Sequence, residues 1–206
     1  MDAARVAMSR IPGFFQGTEM PDGWWQALWP EPAKVLAAVG LTRGSDAIDL
    51  CCGDGWFTLP MAQAARHVFA IDIDGKMLER ASWRLAEHGV THCDFVEGDA
   101  HDVARLVPRP VDFVLMANAF HGVPEPTRLA RAVAAALKPG GTFAIVNWHR
   151  RRREDTPVLG EPRGPASEMR MTTEATAAAV ERAGLRLREV VELPPYHYGA
   201  IFERAL

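Results

Sequence analysis

The sequence predicts an α/β domain built on a mostly parallel, doubly wound sheet, and three observations predict it. Short apolar runs alternate with helical patterns from residue 31 to the end of the chain. A strand, a tight glycine turn and a helix follow one another from Asp49 to Thr58. Acidic residues stand at or just after the ends of the first three strand candidates, at Asp49, Asp72 and Asp99. Such alternation gives parallel strands joined by right-handed crossovers, whose carboxyl ends line one crevice.

Each element has its own justification. Residues 1–30 hold Gly, Pro and the tryptophans Trp24, Trp25 and Trp29 without a clear period, and are expected to form an N-terminal lid segment ahead of a domain at 31–206. Residues 31–40 read as a helix, with Val35, Leu36 and Val39 on one face, Pro32 in the first turn and Gly40 as the stop. Ala47–Cys51 is a short apolar strand. Trp56–Arg66 is a helix in which Pro60 is tolerable only near the first turns. His67–Ile71 is a strand, Lys76–Glu87 a helix ended near Gly89, Asp94–Val96 a third strand and Asp102–Leu106 a short helical stretch. Val111–Ala117 reads as a fully buried strand, Arg128–Leu137 as an alanine-rich helix stopped by Pro139-Gly140-Gly141, and Thr142–Trp148 as another buried strand. A long loop is expected at 149–170, then a helix at Thr173–Ala183 capped by Thr172 or Thr173 and ended by Gly184. Arg186–Leu193 and Ala200–Arg204 alternate like strands around a Pro194–Gly199 turn too short for a helix, so they should be antiparallel.

Composition narrows the function classes. With 206 residues the chain suits one domain with a good core, and the net charge of −3 gives no basic field for a nucleic-acid partner. Cys51, Cys52 and Cys93 are too few for a disulfide framework and form no paired zinc motif, so no metal is expected. The start lacks a secretory pattern and no apolar run could span a bilayer, so a cytoplasmic location away from membranes is expected.

The chemistry gathers at Asp49-Leu50-Cys51-Cys52-Gly53-Asp54-Gly55. Gly53 and Gly55 let backbone approach a ligand, but such a turn alone could serve a dinucleotide, a nucleoside or only the fold. The acids sharpen it. Asp72, at the end of the second strand, can take two ribose hydroxyls, and Asp99 can accept from an adenine amino group, with Ile73 and Ala100 as neighbouring contacts. Asp49 and Cys51 complete the expected cofactor-binding set. A carboxylate at Asp49 repels a pyrophosphate but suits an ammonium or a sulfonium.

On these residues, positions from about 44 to 148 resemble the class I methyltransferases. The resemblance rests on the Asp49–Gly55 loop, Asp72, Gly98-Asp99-Ala100 and the Leu137-Lys138-Pro139-Gly140-Gly141 turn, and is nearest in style to the small-molecule branch that includes ubiquinone and menaquinone methyltransferases. It implies a single-domain Rossmann-like sheet of seven strands ordered 3-2-1-4-5-7-6 with strand 7 antiparallel, S-adenosylmethionine as cofactor, and in-line methyl transfer to a small-molecule acceptor. One residue departs from the pattern. Cys51 stands where the family usually has glycine, which implies a slightly altered turn with binding retained.

In this fold the acceptor approaches beyond strands four and five. Asn118 and His121 are then the expected catalytic pair, His121 as a general base or only as a pocket wall, and Asn118 as a cofactor contact too. Trp24, Trp25, Trp148, Tyr196 and His197 are candidate acceptor contacts. The run Arg150–Arg153 reads as a solvated charge run or as an anion contact. Two rivals remain at this point. A base-amino nucleic-acid methylator would want an Asn-Pro-Pro motif where Asn118-Ala119-Phe120 stands, and a non-catalytic cofactor-binding protein would use nearly the same residues.

Overall fold

In the computed structural model, residues 23–206 are described, and the expectations for residues 1–22 of the lid segment lie outside them. Seven strands make the main sheet: β1 (Asp46–Leu50), β2 (His67–Asp72), β3 (Cys93–Glu97), β4 (Val111–Ala117), β5 (Leu137–Trp148), β6 (Leu185–Leu193) and β7 (His197–Arg204). The helices are α1 (Trp24–Leu28), α2 (Pro32–Ala38), α3 (Thr58–Ala64), α4 (Gly75–Glu87), α5 (Val103–Leu106), α6 (Pro126–Ala136) and α7 (Thr173–Glu181). Their order across the sheet is 3-2-1-4-5-7-6, with β7 antiparallel to both β5 and β6, as the resemblance implied. None of the helices among the described residues is long and apolar enough to cross a membrane.

Side-chain alternation along the central strands divides the core into two layers. Ile48, Leu50, Phe69, Ile71, Val114, Met116, Phe143 and Ile145 point to the face that α6 and α7 cover. Ala47, Val68, Phe113, Leu115, Ala144 and Val146 point to the other, under α1, α2 and α3. Both layers are buried, so β1 and β4 read as largely apolar runs rather than as alternating ones.

The sequence reading needs four corrections. The helix expected over 56–66 spans only Thr58–Ala64, because Trp56 and Phe57 belong to the turn that brings the chain out of β1. Pro60 is thereby its third residue, where no intrahelical N–H is required. The Pro139-Gly140-Gly141 segment does not precede β5 but lies within it. Val111 pairs with Leu137 and Phe113 with Thr142, so residues 138–141 bulge out opposite Asp112 alone. Strand β7 starts at His197, which leaves a tight turn where a six-residue one was expected. The long loop, finally, carries a small two-stranded ribbon, Pro157–Val158 against Glu161–Pro162. Thr172 is the cap of α7, its hydroxyl oxygen accepting from the Ala175 N–H at 3.1 Å.

At the amino end of the sheet, Asp46 is 1% exposed and gathers cations from three elements. It accepts from Arg66 Nε at 3.0 Å and from Arg109 at 3.4 Å, while its own N–H donates to Asp112, whose other oxygen holds Lys138 at 2.8 Å. These partners, Arg66 first, hold the Asp46 carboxyl down at about 2. A depressed carboxylate stabilises the fold above its unfolded pKa and loses that contribution as pH falls through the folded value. The arginines are half exposed, so screening leaves the clamp about 1–2 kcal/mol. Denaturant midpoints of the natural chain and Asp46→Asn should differ by that amount at pH 7 and converge between about pH 4 and pH 2; a constant difference across that range would refute the clamp.

Candidate functional site

The site begins where β1 ends. Cys51 takes φ +61°, followed by Gly53 at φ +55° and Gly55 at φ +83°, so the chain reverses within five residues. A left-handed non-glycine residue costs about 1 kcal/mol, which is the physical reason glycine is the easier choice at position 51. The Cys51 side chain nonetheless fits, packed against the core on one side and lining the cleft on the other. Burial, then the negative field of Asp72, pushes its thiol well above the usual range, so it is a neutral wall and no nucleophile.

Two carboxylates from neighbouring strands shape the turn. Asp72, at the end of β2, accepts from the Gly53 N–H at 2.8 Å and from the Asp74 N–H at 3.0 Å. Asp74 then caps α4 by accepting from the Lys76 N–H. After β3, Asp99 caps a short 3-10 turn and also meets His101 Nδ1 at 3.0 Å. His101 reaches on to the Pro124 carbonyl at 2.9 Å, so one ring ties the wall after β3 to the wall after β4.

Beyond β4 the backbone turns sharply again. Asn118 has φ +58°, donates its N–H to Val146, and keeps both side-chain amide atoms buried with no hydrogen-bond partner among the described residues. Asn tolerates this conformation better than most residues. His121 follows on a 3-10 turn, its Nδ1 3.3 Å from Asn147 Oδ1. Burial, then the charge of Arg170, lowers its proton affinity, so the ring is neutral at pH 7. These ends enclose a cleft of about 430 Å³, closed on its far side by Arg153, Gly164, Pro165, Ala166 and Met169 of the long loop and by Trp25.

Residues 47–141 match the methyltransferase domain family. The chain is 32% identical over 136 residues to a ubiquinone biosynthesis O-methyltransferase of Xanthomonas euvesicatoria pv. vesicatoria (strain 85-10), covering 62% of this chain and 56% of that one. It is 28% identical over 123 residues to the tRNA 5-carboxymethoxyuridine methyltransferase of Escherichia coli (strain K12), covering 59% and 47%. This chain thus spans about half the length of the curated relatives it matches. Among solved structures, a SAM-dependent methyltransferase from Aquifex aeolicus superposes with a TM-score of 0.75 at 24% identity, over 89% of this chain and 93% of that one. The match to methyltransferase domains thus lies on residues 47–141, and the fold of the described chain is the one that those methyltransferases share.

Of the positions expected at the site, Cys51, Gly53, Asp72, Ile73, Asp99, Ala100, Asn118 and His121 all line the cleft, as does Trp25. Other expected positions do not. Asp49 is 2% exposed and points under α3, where Thr58 Oγ1 donates to it at 2.6 Å. Strand alternation puts Ala47 and Asp49 on the layer that α3 covers, away from the crevice. Gly55 faces α4: a Cβ there would sit 2.9 Å from the Ala81 Cβ, so its glycine serves helix packing rather than a ligand. Gly53 does open onto free space.

The aromatic candidates turn out to build the wall from behind. Trp24 and Trp148 are buried at 6.2 Å between ring centroids, and His197 is wedged between Trp148 at 4.1 Å and Trp29 at 4.4 Å. Tyr196 stacks on Trp148 and donates to the Pro157 carbonyl, pinning the loop's ribbon. Gly164 lies flat on the Trp148 ring, 2.8 Å from where its Cβ would be. Tyr198, the neighbour of His197 on β7, points to the opposite face and meets Thr176 of α7 at 2.7 Å. Of the arginine run, Arg153 alone lines the cleft. The sequence reading missed His101, which lies next to Ala100, and Met77; the 149–170 loop is a pocket candidate on its length alone, and nothing periodic in it marks residues 164–169.

Burial pushes the Asp49 carboxyl up to about 7. Its stability contribution is therefore greatest below the unfolded pKa and is lost as pH rises through the folded value. Asp49→Asn keeps an acceptor for Thr58 and removes the titration. The variant should match the natural chain near pH 4 and exceed it by about 1 kcal/mol or more at pH 8. Thermal melts across this range decide it, and a natural chain that gains stability towards pH 8 relative to the variant would show that Asp49 is charged in the fold.

Proposed function

We propose that this protein is an S-adenosylmethionine-dependent methyltransferase acting on a small molecule. The observation that carries the reading is one continuous cleft whose acidic end meets, at Asn118 and His121, a second compartment under the long loop. The acidic end fits the cofactor. Each Asp72 oxygen accepts one backbone N–H and keeps lone pairs for a pair of ribose hydroxyls. Asp99 Oδ2 accepts nothing among the described residues and suits an adenine amino group. The orphaned Asn118 amide marks a place for a polar ligand group. Asp54, Asp72, Asp74 and Asp99 line this end against Arg80, with Asp54 paired to Arg84, so the acids still outnumber the cations and the field disfavours a pyrophosphate relative to the ammonium and sulfonium of S-adenosylmethionine.

When bound, the cofactor supplies a methyl group on a sulfonium, which leaves readily. The chain's own residues then need to align the acceptor and, where it is protonated, take its proton. His121 is placed for that. Asn147 Oδ1 faces Nδ1, which favours the tautomer with the proton there and makes Nε2 the basic atom. Pro165, Ala166 and Met169 wall the acceptor side.

A small acceptor is favoured over RNA by the net charge of −3 and by apolar cleft walls at Trp25, Val123, Pro124, Pro165 and Met169. Calorimetric titration with S-adenosylmethionine and S-adenosylhomocysteine should give micromolar binding, weakened more than tenfold, about 1.4 kcal/mol, in Asp72→Ala. No binding of either ligand sinks the reading, and tight salt-dependent binding of tRNA would transfer it to a nucleic-acid acceptor.

If His121 is the base, His121→Ala lowers kcat/KM by roughly 10²–10⁴-fold and removes an acid limb that lies below the ordinary histidine range, because burial depresses the ring. An unchanged pH profile in His121→Ala leaves the ring as a wall only.

A further inference from the structure

We infer that the acceptor end of the cleft is built to bind a small molecule bearing a carboxylate, held by the arginines of the 149–170 loop; this rests on the functional reading above and names its substrate class. The acids along the cleft are confined to one end, where Arg80 of α4 lines the wall beside them. The carboxylates that line it, Asp54, Asp72, Asp74 and Asp99, all belong to the cofactor end. The loop wall across from Asn118 and His121 contributes Arg153 and no acid.

Behind that wall lies a second cation. Arg170 is 2% exposed and rests over the Trp148 ring at 4.9 Å. Its Nε donates to the Pro165 carbonyl, and its Nη2 to Thr156 Oγ1 at 2.9 Å and the Arg163 carbonyl at 3.0 Å. These acceptors are neutral. Nη1 is buried without a partner, and among the described residues no carboxylate lies within 4 Å of this guanidinium. Glu154, the acid that acts on it through space, is exposed and 3.5 Å from Arg152. Pro165, the acceptor of Arg170 Nε, lines the cleft, which places Arg170 directly behind the loop wall of the acceptor side. Arg163 adds a third guanidinium over Trp24, with a buried and unpartnered Nε.

A desolvated guanidinium without an anion is costly, and an incoming anion would relieve that cost. Guanidinium forks match the two oxygens of a carboxylate, and the walls beside Arg153 are apolar, so the occupant is a carboxylate on an apolar body. Arg153 would contact it, while Arg170 would act by charge and by fixing the wall.

The test uses the full chain saturated with S-adenosylhomocysteine, titrated with benzoate and with its neutral isostere benzamide. Benzoate should bind at least tenfold more tightly. Arg153→Gln should erase most of that preference while leaving S-adenosylhomocysteine affinity unchanged, since its side chain otherwise donates only to the Gly164 carbonyl. Arg170→Gln should reduce the preference too; if it unfolds, Arg153→Gln decides. Equal affinity for the two probes, or a preference that survives in Arg153→Gln, overturns the inference. Should S-adenosylhomocysteine itself fail to bind, the functional reading falls, and the same two probes titrated on the unliganded protein still decide the carboxylate site.

Discussion

The hydrogen bond from the Gly53 N–H to Asp72 is the constraint on which the rest of the site depends. It ties the turn after β1 to the end of β2, two segments that the sheet alone brings only side by side. The turn needs this tie because it passes through Cys51 in a left-handed conformation and has little regular backbone pairing of its own. Once the turn is pinned, Gly55 can pack on Ala81 of α4 and Asp54 can meet Arg84 at 2.8 Å, so α3 and α4 both take their places from it. The same carboxylate, through Asp74, starts α4. One side chain therefore positions the floor of the cofactor end and the helix that walls it.

Trp148 plays the corresponding part at the other end. It closes β5, and around its ring gather Trp24, Tyr196, His197, Arg170 and the backbone of Gly164. These come from α1, the β6–β7 turn, β7 and the long loop. Without that ring the loop would have no apolar surface to lie on, and the acceptor compartment would have no far wall. The loop is held at Trp148 and by its own hydrogen bonds, from Arg153 to Gly164 and from Arg170 to Thr156 and Arg163.

The fold was legible because its signals are periodic: apolar runs, helical stripes and glycine stops recur in the order the sheet requires. The cleft acids Asp72 and Asp99 were legible because strand ends in such a sheet share one crevice. Asp49 and Gly55 sit in the same motif and were misassigned. Their neighbours in space, Thr58 and Ala81, belong to helices whose register against the sheet has no signature in the local sequence. His197 and Tyr198 were expected together in a turn; once β7 starts at His197, the two-residue period sends them to opposite faces. Arg153 and Arg170 were illegible for a different reason. A loop residue's environment is set by tertiary contacts alone, and the run Arg150–Arg153 reads the same whether one of its members faces a cleft or none does.

Asp46 and Asp49 show how far position governs a carboxylate. They lie three residues apart on one strand, and both are almost fully covered. Asp46, at the amino end, is surrounded by Arg66, Arg109 and Lys138 and is held at about 2. Asp49, at the carboxyl end, has only a hydroxyl for company and is pushed up to about 7. Cations surround the amino end of β1, whereas Asp49 lies under α3, where Thr58 is its hydrogen-bond partner. Across the cleft, the lining acids lie at the cofactor end, where Asp54 is paired with Arg84 and Arg80 also lines the wall, while the buried Arg170 behind the loop has no carboxylate within 4 Å among the described residues. The loop side, with Arg153 and Arg170, is therefore the end that an anionic acceptor would complete electrostatically.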